Sequence, residues 1–149
     1  MSNRIKTQLW LACALVLFAS SCSQLQMTDS SDSPHYSWIV GHKLFVKEEV
    51  WAIGVTNDQN YAAPATHIKL VAGAGFSGPE VLFRERCCLN ETLTITKVLT
   101  SSLPLISRVQ YVVENESLKK FELDVKIDVW QSIDDGNLGL DTVFSLNRE

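Results

Sequence analysis

The sequence predicts an all-β fold, and three observations predict it. From Tyr36 onward, apolar and polar residues alternate in short runs, the period of a half-buried strand. Clusters of Gly, Pro, Asn, Asp and Ser separate these runs where tight turns need them. Over the same stretch no segment keeps helical spacing for three turns. About seven or eight antiparallel strands at this spacing suit a single β-sandwich of two packed sheets, immunoglobulin-like in type, with a small barrel as the alternative.

Leu44 to Val46 opens the body as a short apolar strand. Val50 to Val55 follows, with Trp51, Ile53 and Val55 on one face and the small Ala52 and Gly54 on the other. His67 to Ala72, Val81 to Cys88, Thr92 to Leu99 and Arg108 to Val113 supply four more strands. Phe121 to Val129 is the most regular run: Phe121, Leu123, Val125, Ile127 and Val129 share one face, and Glu122, Asp124, Lys126 and Asp128 share the other. A slip of one residue would expose every apolar group of that run, so its register is strongly specified. Thr142 to Leu146 closes the domain, and Trp51, Phe121 and Ile127 are candidates for the centre of the core. Turns are expected at Thr56 to Asn60, Gly73 to Pro79, Leu89 to Glu91, Ser101 to Pro104, Asn115-Glu116 and Asp134 to Asn137.

The first residues say where the chain goes. Arg4 and Lys6 precede an uncharged apolar run from Leu9 to Ala19. That run is about half of the roughly 20 residues a membrane span needs, and basic residues, a short apolar centre and small residues are the layout of a cleavable export signal. Ala19-Ser20-Ser21-Cys22 resembles the lipobox of bacterial lipoproteins, in which the cysteine is acylated after cleavage before it. The resemblance implies a lipid anchor on Cys22 and, with Ser23 rather than Asp next to it, the outer membrane. Expected domains are a signal peptide over 1–21, the lipidated cysteine and a polar linker over 22–35, and the sandwich over 36–149. The linker, rich in Ser and Asp, has a composition that behaves as a flexible leash.

Charge and cysteines narrow the partners. The signal carries two of the 13 Lys and Arg and none of the 17 Asp and Glu, so the mature chain is more acidic than the formal charge of −4 of the whole. An acidic domain lacks the basic face that nucleic acid requires. Cys13 leaves with the signal and Cys22 is used for acylation, which leaves Cys87 and Cys88 adjacent to each other as a candidate redox pair. Adjacent Cα atoms stand about 3.8 Å apart, below the usual disulfide range of about 4.4 to 6.8 Å, so a bridge between them needs a distorted turn. On a regular strand their side chains point to opposite faces, one thiol buried and the other near the surface.

No catalytic residues, cofactor or metal are expected. His35, His42 and His67 are far apart in sequence, and His67 is expected to be a half-exposed strand histidine. Gly73 to Gly78 follows a strand but leads into Pro79 and another strand, so it lacks the helix start and Lys of a phosphate loop. Asp134 to Asn137 lacks the spacing of a calcium loop. Asn90-Glu91-Thr92 and Asn115-Glu116-Ser117 are formal glycosylation acceptors. Exposed aromatics near the linker, Tyr36, Trp38 and Phe45, together with Trp130 on the polar side of its strand, form the candidate partner contact, with Trp38 and Trp130 its leading residues.

From Trp51 the order of features resembles extracytoplasmic immunoglobulin-like domains of the FxLYD kind: Trp51 to Asn57 (WAIGVTN), Ala63-Pro64, Ile68 to Ala72 (IKLVA), a Gly-rich turn, Leu93 to Lys97 (LTITK) and Val109 to Tyr111 (VQY). The family's naming motif does not occur in the chain. The resemblance implies a binding or accessory module. The expected function is therefore that of an outer-membrane-anchored lipoprotein whose sandwich binds another protein of the cell envelope. The alternatives are a secreted, glycosylated sandwich that binds a lipid or protein ligand, and a thiol-disulfide sensor that uses Cys87 and Cys88.

Overall fold

The computed structural model describes residues 26–73, 75–101, 108–129 and 143–146. Expectations for the signal, for Cys22, Ser23, Trp130 and Thr142, for Leu103-Pro104 and for the Asp134 to Asn137 turn lie outside them. The described chain is all β. Its strands are β1 (Met27–Asp29), β2 (Lys43–Val46), β3 (Val50–Val55), β4 (His67–Ala72), β5 (Val81–Cys87), β6 (Thr92–Ser101), β7 (Val109–Glu114), β8 (Val125–Val129) and β9 (Phe144–Leu146), with a 3₁₀ helix η1 at Glu116–Phe121. They form one hydrogen-bonded sheet in the order β5-β3-β4-β8-β7-β6-β2-β9. One edge of β6 is shared: β2 pairs with its first residues and β1 with its last.

The sheet folds back on itself as a sandwich, because side chains from strands far apart in that order meet in one core. Val50 and Ala52 of β3, Ile68 and Leu70 of β4, Ile127 of β8, Tyr111 of β7, Ile95 of β6 and Leu44 and Val46 of β2 all belong to it. β6 stays in phase with this core through a bulge between Ile95 and Lys97. The extra residue, Thr96, donates its hydroxyl to the Val112 carbonyl at 3.3 Å, and Leu93, Ile95 and Val98 all become fully buried.

One ladder departs from the antiparallel expectation. β8 runs parallel to β4, with Ile68 opposite Val125 and Lys69 opposite Lys126. The chain leaves β4, builds β5, β6 and β7, and returns beside β4, and a connection of that length permits the parallel pairing a hairpin cannot make.

Three further expectations are corrected. The segment expected to be a leash enters the fold: Met27, Thr28 and Asp29 pair with Ser101, Thr100 and Leu99 of β6. Turns carry the chain from there to Gly41 and bury Ile39 completely. Its polarity serves hydrogen bonds here, since Ser30 meets the Thr100 hydroxyl at 2.8 Å and the Ser31 hydroxyl accepts from the Val98 amide at 3.0 Å. Phe121 to Leu123 do not extend β8. Asn115 caps η1 by accepting the Leu118 amide at 3.0 Å, and Glu122 ends it in the left-handed region at φ 54°.

The faces of β3 are reversed. Val50 and Ala52 point to the main core, while Trp51, Ile53 and Val55 point away from it. Small residues face inward because the Phe83 ring of β5 lies over Gly54, where any Cβ would collide with it. Ile53 is nevertheless fully buried, under the loop that follows β4. Gly75 of that loop adopts φ +64°, and a Cβ on it would stand 2.7 Å from Ile53 Cδ1 and 2.6 Å from Val71 Cγ2.

Candidate functional site

β5 lies at one end of the sheet, hydrogen-bonded to β3. It stops at Cys87 because Cys88 turns into the left-handed region at φ 70°. Asn90 follows at φ 60°, and the turn is sewn to β2: the Asn90 amide donates to the Val46 carbonyl and the Val46 amide to the Glu91 carbonyl, both at 2.9 Å. Two thiols on a straight strand would point apart. The turn at Cys88 cancels that alternation, so Cys88 enters the main core and Cys87 packs half-buried against the same core. Both cysteines are free.

Polar groups crowd this pair. Glu91 accepts hydrogen bonds from Asn115 Nδ2 and Ser117 Oγ, and Lys120 forms an ion pair with Glu85. The hydrogen bond from Cys88 lowers the Cys87 pKa, with Lys120 helping and burial, Glu91 and Glu85 opposing. The same hydrogen bond, followed by burial, raises that of Cys88. The pair is therefore asymmetric, with the anionic form favoured at the more accessible sulfur. Burial of one thiol and partial exposure of the other is the expected arrangement; that both meet the same core is not, and the left-handed turn is its cause.

Of the two tryptophans expected at a partner surface, Trp130 lies outside the described residues. Trp38 is 52% exposed in the turns after β1, its indole N–H donating to the His35 carbonyl at 2.9 Å and its ring edge-on to His42 at 5.9 Å. Tyr36 instead packs against the core. Exposed apolar groups missed in the sequence gather around β5: Leu82, Phe83 and Leu89. Phe83 stacks on Phe121 of η1 at 6.0 Å. The run Val81-Leu82-Phe83 carries a signal for this, since three consecutive apolar residues on a strand cannot share one face, but the edge position of the strand is a tertiary fact.

His67 is buried rather than half-exposed, opposite Val55 on the outer face of β3 and β4. Its Nδ1 lies 3.1 Å from the Thr66 hydroxyl, and burial, then Lys126 and Lys69, push its pKa down to about 4. Among the described residues no three His, Cys, Asp or Glu side chains gather as metal ligands. The Gly-rich loop lies across Ile53 and Val71, and Arg84 donates to its Phe76 carbonyl. Asn115, a formal glycosylation acceptor, has its amide nitrogen engaged with Glu91, which a sugar would disrupt; Asn90 is exposed. Comparison of the chain with protein-family models, with curated proteins and with solved structures finds no match.

Proposed function

We propose that the chain is an exported lipoprotein, held at the outer membrane through acylated Cys22, whose sandwich acts by binding another protein of the cell envelope. The observation that carries the reading is the order Arg4, Lys6, Leu9 to Ala19, Ser20-Ser21-Cys22. The fold adds a constraint. β1 starts at Met27, so only Ser23 to Gln26 separate the anchor from the sheet. Five residue steps at about 3.3 to 3.6 Å span less than about 18 Å, and the domain works close to the bilayer surface. Its partner is then a neighbour at the membrane, within reach of Trp38 in the turns that follow β1.

Membrane fractionation of Cys22→Ala tests the anchor. The variant is expected in the soluble fraction, because a mature lipoprotein end carries several acyl chains whose loss leaves no comparable attachment. Sedimentation unchanged from the parent protein would end the lipoprotein reading. Cross-linking of the anchored protein in its membrane, compared with Trp38→Ala and Trp130→Ala, tests the contact. Capture of an envelope protein that both substitutions leave intact would move the surface elsewhere.

A further inference from the structure

We propose that Cys87 and Cys88 form a redox-active vicinal dithiol, in which Cys87 Sγ attacks a disulfide-bearing oxidant and Cys88 Sγ then closes a bridge between the two residues. The proposal goes beyond the binding role and stands on the geometry of the β5-β6 turn.

The turn sets both cysteines against the same core. A residue with a Cβ at φ 70° is strained by roughly 1 to 2 kcal/mol, which is why Gly or Asn ordinarily fills such positions. Here the position holds a cysteine, and its conformation is what brings the second side chain to the core that the first also meets. Access is divided as a two-step exchange requires, with Cys87 half-buried at the end of an edge strand and Cys88 enclosed in the core. The surroundings are polar on one side, where Lys120, Glu85, Glu91 and Ser117 lie. The hydrogen bond from Cys88 and the nearby ammonium of Lys120 favour a thiolate on Cys87, the nucleophilic form.

The exchange balances with any small or protein disulfide, R–S–S–R, as oxidant. Cys87 thiolate attacks one sulfur; the S–S bond breaks, a mixed disulfide Cys87–S–S–R forms, and the released R–S⁻ takes up a proton as R–SH. Cys88 Sγ, giving its proton to solvent, attacks Cys87 Sγ and expels the second R–S⁻, which is protonated in turn. Two electrons and two protons pass from the cysteine pair to the oxidant, yielding two R–SH. Adjacent Cα atoms are closer than an ordinary bridge tolerates, so closure must deform the turn. A strained bridge is readily reduced again, as a reversible switch requires. The turn holds Val46 of β2 through two backbone hydrogen bonds and Glu91 through Asn115 and Ser117, so its deformation is felt by β2 and η1.

The test incubates the mature protein with oxidised glutathione and reads intact mass and peptide maps. Wild type is expected to lose the mass of two hydrogen atoms, with the bridge mapped to Cys87-Cys88 and reversed by dithiothreitol. Cys88→Ser is expected to stop at a glutathione adduct on Cys87, and Cys87→Ser to react about tenfold more slowly. Alkylation of unmodified wild type is expected to label Cys87 first, a measurement that needs no variant and survives a fold weakened by Cys88→Ser. A stable adduct on wild type, a disulfide-linked dimer, absence of reaction, or first labelling at Cys88 would each overturn the proposal.

Discussion

β8 and β3 lie in the same sheet with only β4 between them, yet they meet water in opposite ways. β8 buries Val125, Ile127 and Val129 and leaves Lys126 and Asp128 half-buried on the other face. β3 buries both faces: Val50 and Ala52 reach the main core, while Ile53 and Val55 are covered on the outside. Alternation in a sequence is a record of which face is wet. Where a loop dries the second face the record disappears, and residue size becomes a misleading guide to direction.

The largest expected effect comes from β8. Ile127→Asp should unfold the domain, since burying an unpaired carboxylate costs several kcal/mol against a total stability of about 5 to 15 kcal/mol. Asp128→Ala should leave it folded but weaker by about 1 to 2 kcal/mol. Asp128 accepts from Gln110 Nε2 at 2.6 Å and from Lys69 at 3.2 Å, and Gln110 is buried, so its amide loses its partner. Thermal or denaturant unfolding of the pair measures the difference, and equal midpoints would mean that β8 does not have one wet and one dry face.

β3 should respond differently. Ile53→Ala is expected to lose about 2 to 4 kcal/mol, as in a core, although Ile53 points away from the main core. A loss under about 0.5 kcal/mol, typical of a surface site, would show that the loop does not cover it.

His67 gives the same outer face a pH signature. Its pKa is held near 4 against an ordinary 6.5, so between those values the unfolded chain binds the proton more readily than the folded one. Stability contributed by the neutral ring is full above about pH 6.5 and is lost as pH falls toward about 4. The loss is on the order of 2 to 3 kcal/mol, at the upper end only if the ring stays as dry as it is at neutral pH. Between pH 7 and pH 4.5 the wild type should lose about 2 kcal/mol more unfolding free energy than His67→Phe. A constant gap would mean that the site is wet.

How much of this was legible follows the same physics. Strands β3, β4 and most of β2, β5, β6, β7 and β8 could be placed from alternation and turn residues, because those signals are local. The order of strands, the parallel β4-β8 pairing and β1 were not, because they depend on where distant segments meet. A polar segment such as Met27 to Ser31 reads as linker until a free edge of β6 is available to take its hydrogen bonds. Adjacent cysteines were visible as a candidate site, whereas the positive φ that joins them has no sequence mark, since Cys is not a residue that turn chemistry assigns to that region.

The smallest effect separates a covered face from a merely apolar one. Gly73 and Gly75 both adopt the left-handed region, at φ +62° and +64°, so Ala at either position pays the left-handed penalty of about 1 kcal/mol. Only Gly75 stands against Ile53 and Val71; a Cβ at Gly73 meets nothing within 4 Å. Gly75→Ala must also push aside the ends of the buried Ile53 and half-buried Val71 side chains, an overpacking cost of about 1 to 2 kcal/mol. The backbone term cancels in the comparison, so the excess loss in Gly75→Ala over Gly73→Ala measures the contact of the loop with Ile53 and Val71. That excess should shrink in an Ile53→Ala background, where the shortened side chain leaves room for the new methyl. If the two glycine variants melt together, the loop rests above β3 without touching it, and the burial of Ile53 needs another cause.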